Sequence, residues 1–151
     1  MTKPIITRAQ FPFWFPIEVR WGDMDAMGHV NNSIYFRYCE SARIALLRSL
    51  NIKGRAEGST QGPTLVTTSC DFKREVKYPA TLEVGVRVEA LTRRSFALQY
   101  AMFFAGTEEL AAVARSVNAW VDYADKQAIE IPDELRTALA QYQTTGHTGK
   151  A

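Results

Sequence analysis

Trp21-Gly-Asp23-Met-Asp25-Ala-Met-Gly28-His29-Val-Asn31-Asn32-Ser-Ile-Tyr35-Phe-Arg-Tyr-Cys-Glu40-Ser-Ala-Arg43 is the stretch on which the reading of this chain turns. Two acids, a glycine, a histidine and two asparagines crowd into one turn-forming loop, Gly22 to Val30 with its flanks. A helical period begins directly afterwards. From Ser33 to Leu50, residues Ile34, Tyr35, Tyr38, Cys39, Ala42, Ala45, Leu46 and Leu50 recur at three- and four-residue spacing and form one apolar stripe. Arg37, Glu40, Arg43 and Arg48 fall largely off it. Asn31 or Asn32 is the natural N-cap. The start of a helix presents unpaired backbone N–H groups and the positive end of its dipole, which suits developing negative charge. A carboxylate held just upstream could attack, or activate water, beside that charge. The chemistry is therefore placed here.

Upstream, residues 1–16 read as an extended leader: a loose stretch to Gln10, then the aromatic, proline-interrupted Phe11-Pro-Phe-Trp-Phe-Pro16. Ile17 to Trp21 alternates as a short strand. Downstream, Asn51 to Gly62 is a glycine-bearing connection, and beyond Pro63 the period changes to two. Strands are expected over Thr64–Tyr78, Thr81–Leu91, Ser95–Phe104 and roughly Leu110–Tyr123, with Ala105-Gly-Thr-Glu108 as a hairpin turn. A short helix enters after Pro132. Residues 17–142 form a single domain and 143–151 a disordered tail. Sequential strands on short links make an antiparallel sheet, and one long amphipathic helix must lie on a face of it.

The composition of these 151 residues narrows the function classes. Hydrophobic content of 46% and charged content of 23% are those of a globular protein with one core. A net charge of +2 without a concentrated basic face gives no reason to expect nucleic acid. No apolar run approaches membrane-spanning length, and no secretory leader pattern is present, so a soluble, cytoplasmic protein is expected. Cys39 and Cys70 have no metal-ligand spacing and suit a reduced compartment. Neither a metal nor a cofactor is expected.

The segment Asp23-x-Asp25-x-x-Gly28-His29-Val-Asn31-Asn32, followed by Tyr35 and the Glu40/Arg43 helix, resembles the hotdog-fold acyl-CoA thioesterases, in particular the 4-hydroxybenzoyl-CoA thioesterase-like family. The likeness runs from about Ile17 to Pro132. It takes in Lys77-Tyr-Pro79, the Arg93-Arg94-Ser95-Phe96 turn and the late Val121-Asp-Tyr123. The resemblance implies an α+β hotdog fold: a long central helix wrapped by a curved five-stranded antiparallel sheet. It also implies homodimers whose sheets join edge to edge, paired again into homotetramers, with active sites at the subunit boundary. Asp25 matches the family's catalytic carboxylate, as nucleophile or general base. Asn32 falls where the family uses a helix-start backbone N–H to polarise the thioester carbonyl. Some relatives carry a histidine at that position; here His29 stands three residues earlier and is taken as the third catalytic candidate beside Asp25 and Asn32. Trp21, Gly28 and Tyr35 are assigned to substrate binding, with Met24 and Met27 as further candidates for the acyl channel. Among Lys73, Arg74, Lys77, Arg93 and Arg94, the Arg93-Arg94-Ser95 turn is the first choice for the phosphates of coenzyme A.

Simpler readings stand beside these. Asp23 and Asp25 can act as turn formers through their own side chains, and Asn31 and Asn32 can be caps alone. Glu40 and Arg43 can be a solvated helix pair. The function expected is hydrolysis of an acyl-CoA thioester to free acid and coenzyme A. The alternatives are a hotdog hydratase or dehydratase, and a non-catalytic acyl-thioester-binding module.

Overall fold

A computed structural model describes residues 5–143. Five strands and two α-helices follow in the order β1 (Phe13–Glu18), α1 (Asn32–Ser49), β2 (Gln61–Phe72), β3 (Thr81–Leu91), β4 (Ser95–Phe104), β5 (Leu110–Asp122) and α2 (Asp133–Ala140). All pairings are antiparallel, and the strands lie in the order β1-β3-β4-β5-β2.

Helix α1 forms where its stripe predicts and starts on Asn31, whose side chain accepts from the Ser33 amide at 2.9 Å. It ends on Leu50, whose amide reaches back to Leu46 and Leu47, with Asn51 following at a φ of 60°. That left-handed residue is a common helix terminator, and asparagine tolerates it. Tyr35, Tyr38, Cys39, Ala42, Leu46 and Leu47 are buried along one side. They form one core with Val84 and Val86 of β3 and Leu98, Tyr100 and Met102 of β4. Full burial of a side chain such as Leu46 contributes roughly 1.5–3 kcal/mol.

The first strand differs from its expected range. It begins at Phe13 and ends at Glu18, so much of the aromatic, proline-bearing segment assigned to the leader is part of the sheet. Pro16 is accommodated because β1 is an edge strand and a missing donor can face outward there. Phe13, Phe15 and Ile17 join the helix-side core. Trp14 turns to the opposite face, where Phe11, Ala101 and Phe103 form a second small core. Arg8 closes it: its guanidinium lies 5.0 Å from the Trp14 ring and 4.9 Å from that of Phe103, and bonds Glu83 at 2.6 Å. Gly85 makes this packing possible, since a Cβ there would lie 2.8 Å from Phe11 Cβ. Gly85→Ala is therefore expected to lower stability by about 1–3 kcal/mol, read as a reduced denaturation midpoint.

The second expected strand is longer than the one observed. Pairing stops at Phe72, and residues 73–78 form a loop. A bulge between Leu65 and Thr67 also breaks the simple alternation. On the other side β2 has no partner strand among the described residues, and Leu65, Val66 and Phe72 are all exposed. Of the expected tail, Gln143 bridges to Val88, and residues 144–151 lie outside the described residues.

Candidate active site

The loop before α1 is tied down by its own side chains. Asp25 Oδ1 accepts from the Met27 amide at 2.8 Å, and Oδ2 accepts from Asn31 Nδ2 at 2.6 Å. The Gly28 amide closes the turn onto the Asp25 carbonyl at 3.0 Å, with Gly28 at a φ of 86° that favours glycine. The Asn31 and then the Met27 hydrogen bonds hold the Asp25 carboxyl below its ordinary range, so it is ionised at neutral pH. Within one chain this carboxylate is fully exposed.

Asn31 has two tasks. While Nδ2 fixes Asp25, Oδ1 caps the helix through the amide and hydroxyl of Ser33, at 2.9 and 2.7 Å. The Ile34 amide bonds the Asn31 carbonyl at 3.0 Å. Among the described residues the Asn32 amide has no acceptor. An aimed carboxylate and an unpaired helix-start donor thus lie on either side of Asn31. Such a pair can present a nucleophile or base and hold an oxyanion.

Asp23 has the structural role open to it at the sequence level. Its Oδ2 accepts from Tyr38 Oη at 2.6 Å and from the Arg20 amide at 2.9 Å, and its carbonyl accepts from the Asn31 amide at 3.0 Å. Burial, and then this bond, pushes the Tyr38 hydroxyl well above its usual range. Asp23→Ala strands that hydroxyl and is expected to destabilise the fold by about 1–3 kcal/mol, measurable by urea denaturation.

A cleft of about 400 Å³ opens beside the helix start, lined in part by His29, Asn32, Tyr35, Phe72, Lys73 and Glu75. His29 is partly exposed, with Nε2 3.9 Å from Glu75 and Nδ1 3.3 Å from the Val30 carbonyl. The Tyr35 ring is buried and packs edge-on against Phe72, with centroids 5.0 Å apart. Trp21 and Met27 project from the surface, 73% and 76% exposed, which is unusual for side chains so large and apolar. The structure does not bring Arg93, Arg94 and Ser95 to this loop within one chain. Thr81, at the near end of β3, pairs with Glu18 just before the loop, whereas Arg93 follows the far end. That separates them by on the order of 30 Å of strand. Arg93 instead pairs with Glu130, and Ser95 closes its hairpin through Thr92. A larger cleft, about 600 Å³, lies at the other end of α1, by Leu50, Trp120 and Leu135; none of the expected site residues lines it.

The wall formed by Phe72, Lys73 and Glu75 was not singled out as an acyl site from sequence, because it depends on where β2 ends. The Asn31–Asp25 bond was missed for a similar reason. A six-residue separation across a loop leaves no periodic signal.

One long helix on an antiparallel sheet of order β1-β3-β4-β5-β2 is the hotdog fold, and the protein is a thioester hydrolase of that fold. Residues 19–139 match the thioesterase-like superfamily, and the chain belongs to that family. The PA5185 protein of Pseudomonas aeruginosa strain PAO1 is 33% identical, with a TM-score of 0.87 over 94% of this chain and 99% of that one. A 1,4-dihydroxy-2-naphthoyl-CoA hydrolase of Synechococcus elongatus is 25% identical over 84% of this chain and 94% of its own length. The gentisyl-coenzyme A thioesterase BH1999 shares the fold at 22% identity, with a TM-score of 0.74 over 83% of this chain and 98% of its own. Among the described residues no helix is long and apolar enough to cross a membrane.

Proposed function

We infer that this protein hydrolyses an acyl-CoA thioester to a free acid and coenzyme A. The observation that carries the reading is the Asp25 carboxylate, held by Asn31, together with the Asn32 amide at the start of α1, which has no acceptor among the described residues. A thioester carbonyl has weaker resonance than an amide. Attack by a carboxylate, or by water that has given its proton to one, suffices once the oxyanion is held. In the first route Asp25 displaces the thiolate to form a mixed anhydride that water opens; in the second it deprotonates the attacking water. His29 lies at the cleft wall within reach of Glu75 and is assigned to substrate positioning ahead of proton transfer.

The working unit is a homodimer, assembled further to a homotetramer, in the cytoplasm, where Cys39 and Cys70 stay reduced. The unpaired edge of β2, with Val66 62% exposed, supports sheet-to-sheet joining, which would satisfy its backbone groups. A second subunit would also cover Trp21, Met27 and the exposed Asp25, excluding bulk water from the reaction. Across that boundary Arg93, Arg94 and Ser95 have a route to the coenzyme A phosphates which a single chain denies them. Trp21, Gly28 and Tyr35 remain assigned to the acyl and pantetheine path.

Mass spectrometry of a reaction with acyl-CoA tests this reading. Hydrolysis yields acid and coenzyme A in equal amounts. An intact thioester heavier or lighter by one water would establish a hydratase or dehydratase instead, and an unchanged bound thioester would establish a binding module.

A further inference from the structure

Arg43 lies on α1, partly buried, and its Nη1 donates to Tyr100 Oη at 3.1 Å. Behind it, Tyr100 Oη and Ser116 Oγ share a hydrogen bond of 2.8 Å, and Asn118 Nδ2 donates to Ser116 Oγ at 3.2 Å. Ser116 and Asn118 are buried polar side chains inside an otherwise apolar core. Such groups are costly unless partnered, and here each partners the next, in a chain that ends on one guanidinium. Among the described residues no carboxylate is paired with Arg43, while neighbouring Arg37 is matched by Glu40 at 3.5 Å. An arginine has five N–H donors, and Tyr100 takes only one of those here.

This cation faces a third cleft, about 380 Å³, between α1 and β2, where Ser33, Arg37, Glu40, Arg43, Leu65 and Thr68 stand. The cleft begins at Ser33, next to the Asn32 amide. Asn32 lines the cleft at the carboxylate loop and Ser33 lines this one, so an acyl group whose carbonyl sits at the Asn32 amide would have to pass around the first turn of α1 from one cleft into the other to run towards Arg43. Ten residues of helix separate Ser33 from Arg43, about 15 Å, and the lean of helical side chains towards the N-terminus shortens the gap. Medium-length acyl groups match that span.

Resting on the thioesterase reading above, we propose that Arg43 binds a carboxylate at the far end of the acyl group, so that ω-carboxyacyl-CoA thioesters are the preferred substrates. The guanidinium is held in place by its tyrosine, lacks an internal counterion and can offer a carboxylate two parallel N–H groups. Leu65 and the aliphatic stems of Arg37 and Glu40 would flank the methylene chain.

The test compares suberyl-CoA with octanoyl-CoA in wild type, Arg43→Gln and Arg43→Lys. Wild type is expected to favour suberyl-CoA in kcat/KM by about tenfold or more, the size of one charge-assisted contact. Arg43→Gln, which keeps an N–H for Tyr100 but removes the charge, is expected to collapse that ratio towards one; Arg43→Lys is expected to retain part of it. Equal kcat/KM values in wild type, or a ratio unchanged in Arg43→Gln, would overturn the proposal. Calorimetric binding of the matching thioether analogues, with the carbonyl replaced by methylene, reads the same preference without turnover. If neither thioester is hydrolysed yet the carboxylated thioether binds more tightly through Arg43, the hydrolysis reading fails, and with it the substrate preference, while the Arg43 carboxylate site stands. Equal binding of the two thioethers overturns this one.

Discussion

Asp25→Asn is expected to lower kcat on acyl-CoA thioesters by about 10²–10⁴-fold while leaving the fold intact. The amide is nearly the same size and its oxygen can still accept from the Met27 amide, so the turn survives, although the bond from Asn31 Nδ2 is lost with Oδ2. It carries no charge, however, and can neither attack a carbonyl nor take a proton from water at neutral pH. The side chain is exposed within the chain, so no core packing is lost. Parallel measurement of kcat and of the thermal midpoint separates the two effects. A variant with near-wild-type kcat would remove Asp25 from the reaction.

Asn31→Ala is expected to damage both halves of the site. The helix loses its cap to Ser33, a change that typically costs about 1 kcal/mol. Asp25 loses its shortest hydrogen bond, so its carboxylate is free to swing from the attack position and kcat/KM is expected to fall by about tenfold or more. The pH profile distinguishes this from general loosening. The Asn31 bond is the largest cause of the lowered Asp25 pKa, and deleting it lets that pKa rise. The active form is the carboxylate, so the acid limb of the kcat/KM profile is expected to move to higher pH. An acid limb that stays in place, with kcat/KM unchanged, would show that Asn31 acts as a cap alone.

Legibility in the sequence followed the range of the interactions. Strands β3 and β4 fall on their expected residues, because strict alternation such as Leu82, Val84, Val86 and Val88 is a local property. The helix ends lie within one residue of expectation for the same reason. Phe13 to Pro16 is extended, as its prolines and aromatic rings imply, but its pairing with β3 depends on an edge position that only the assembled sheet reveals. Strand order was not legible, since the β2–β5 pairing joins Gln61 to Asp122 across the intervening hairpins. In the site, the Asp25 loop and the helix start were legible from their polar residues and from the family pattern. The Asp23–Tyr38 bond, the Asn31–Asp25 bond and the Arg43–Tyr100–Ser116 chain were not. Each joins residues through space rather than by period. Arg93, Arg94 and Ser95 form a turn recognisable from sequence, but its place at the far end of β3 from the Asp25 loop of the same chain was not legible there.

On the proposed mechanism the carboxylate just before α1 drives the breaking of a thioester bond. The most direct test of this is colorimetric release of free thiol from short, medium, long-chain, aromatic and ω-carboxy acyl-CoAs, by wild type and Asp25→Asn side by side. Wild type is expected to release coenzyme A from at least one class, with release falling about a hundredfold or more in the variant. Equal release by both proteins, or none from any acyl-CoA by a folded wild type, would contradict the mechanism.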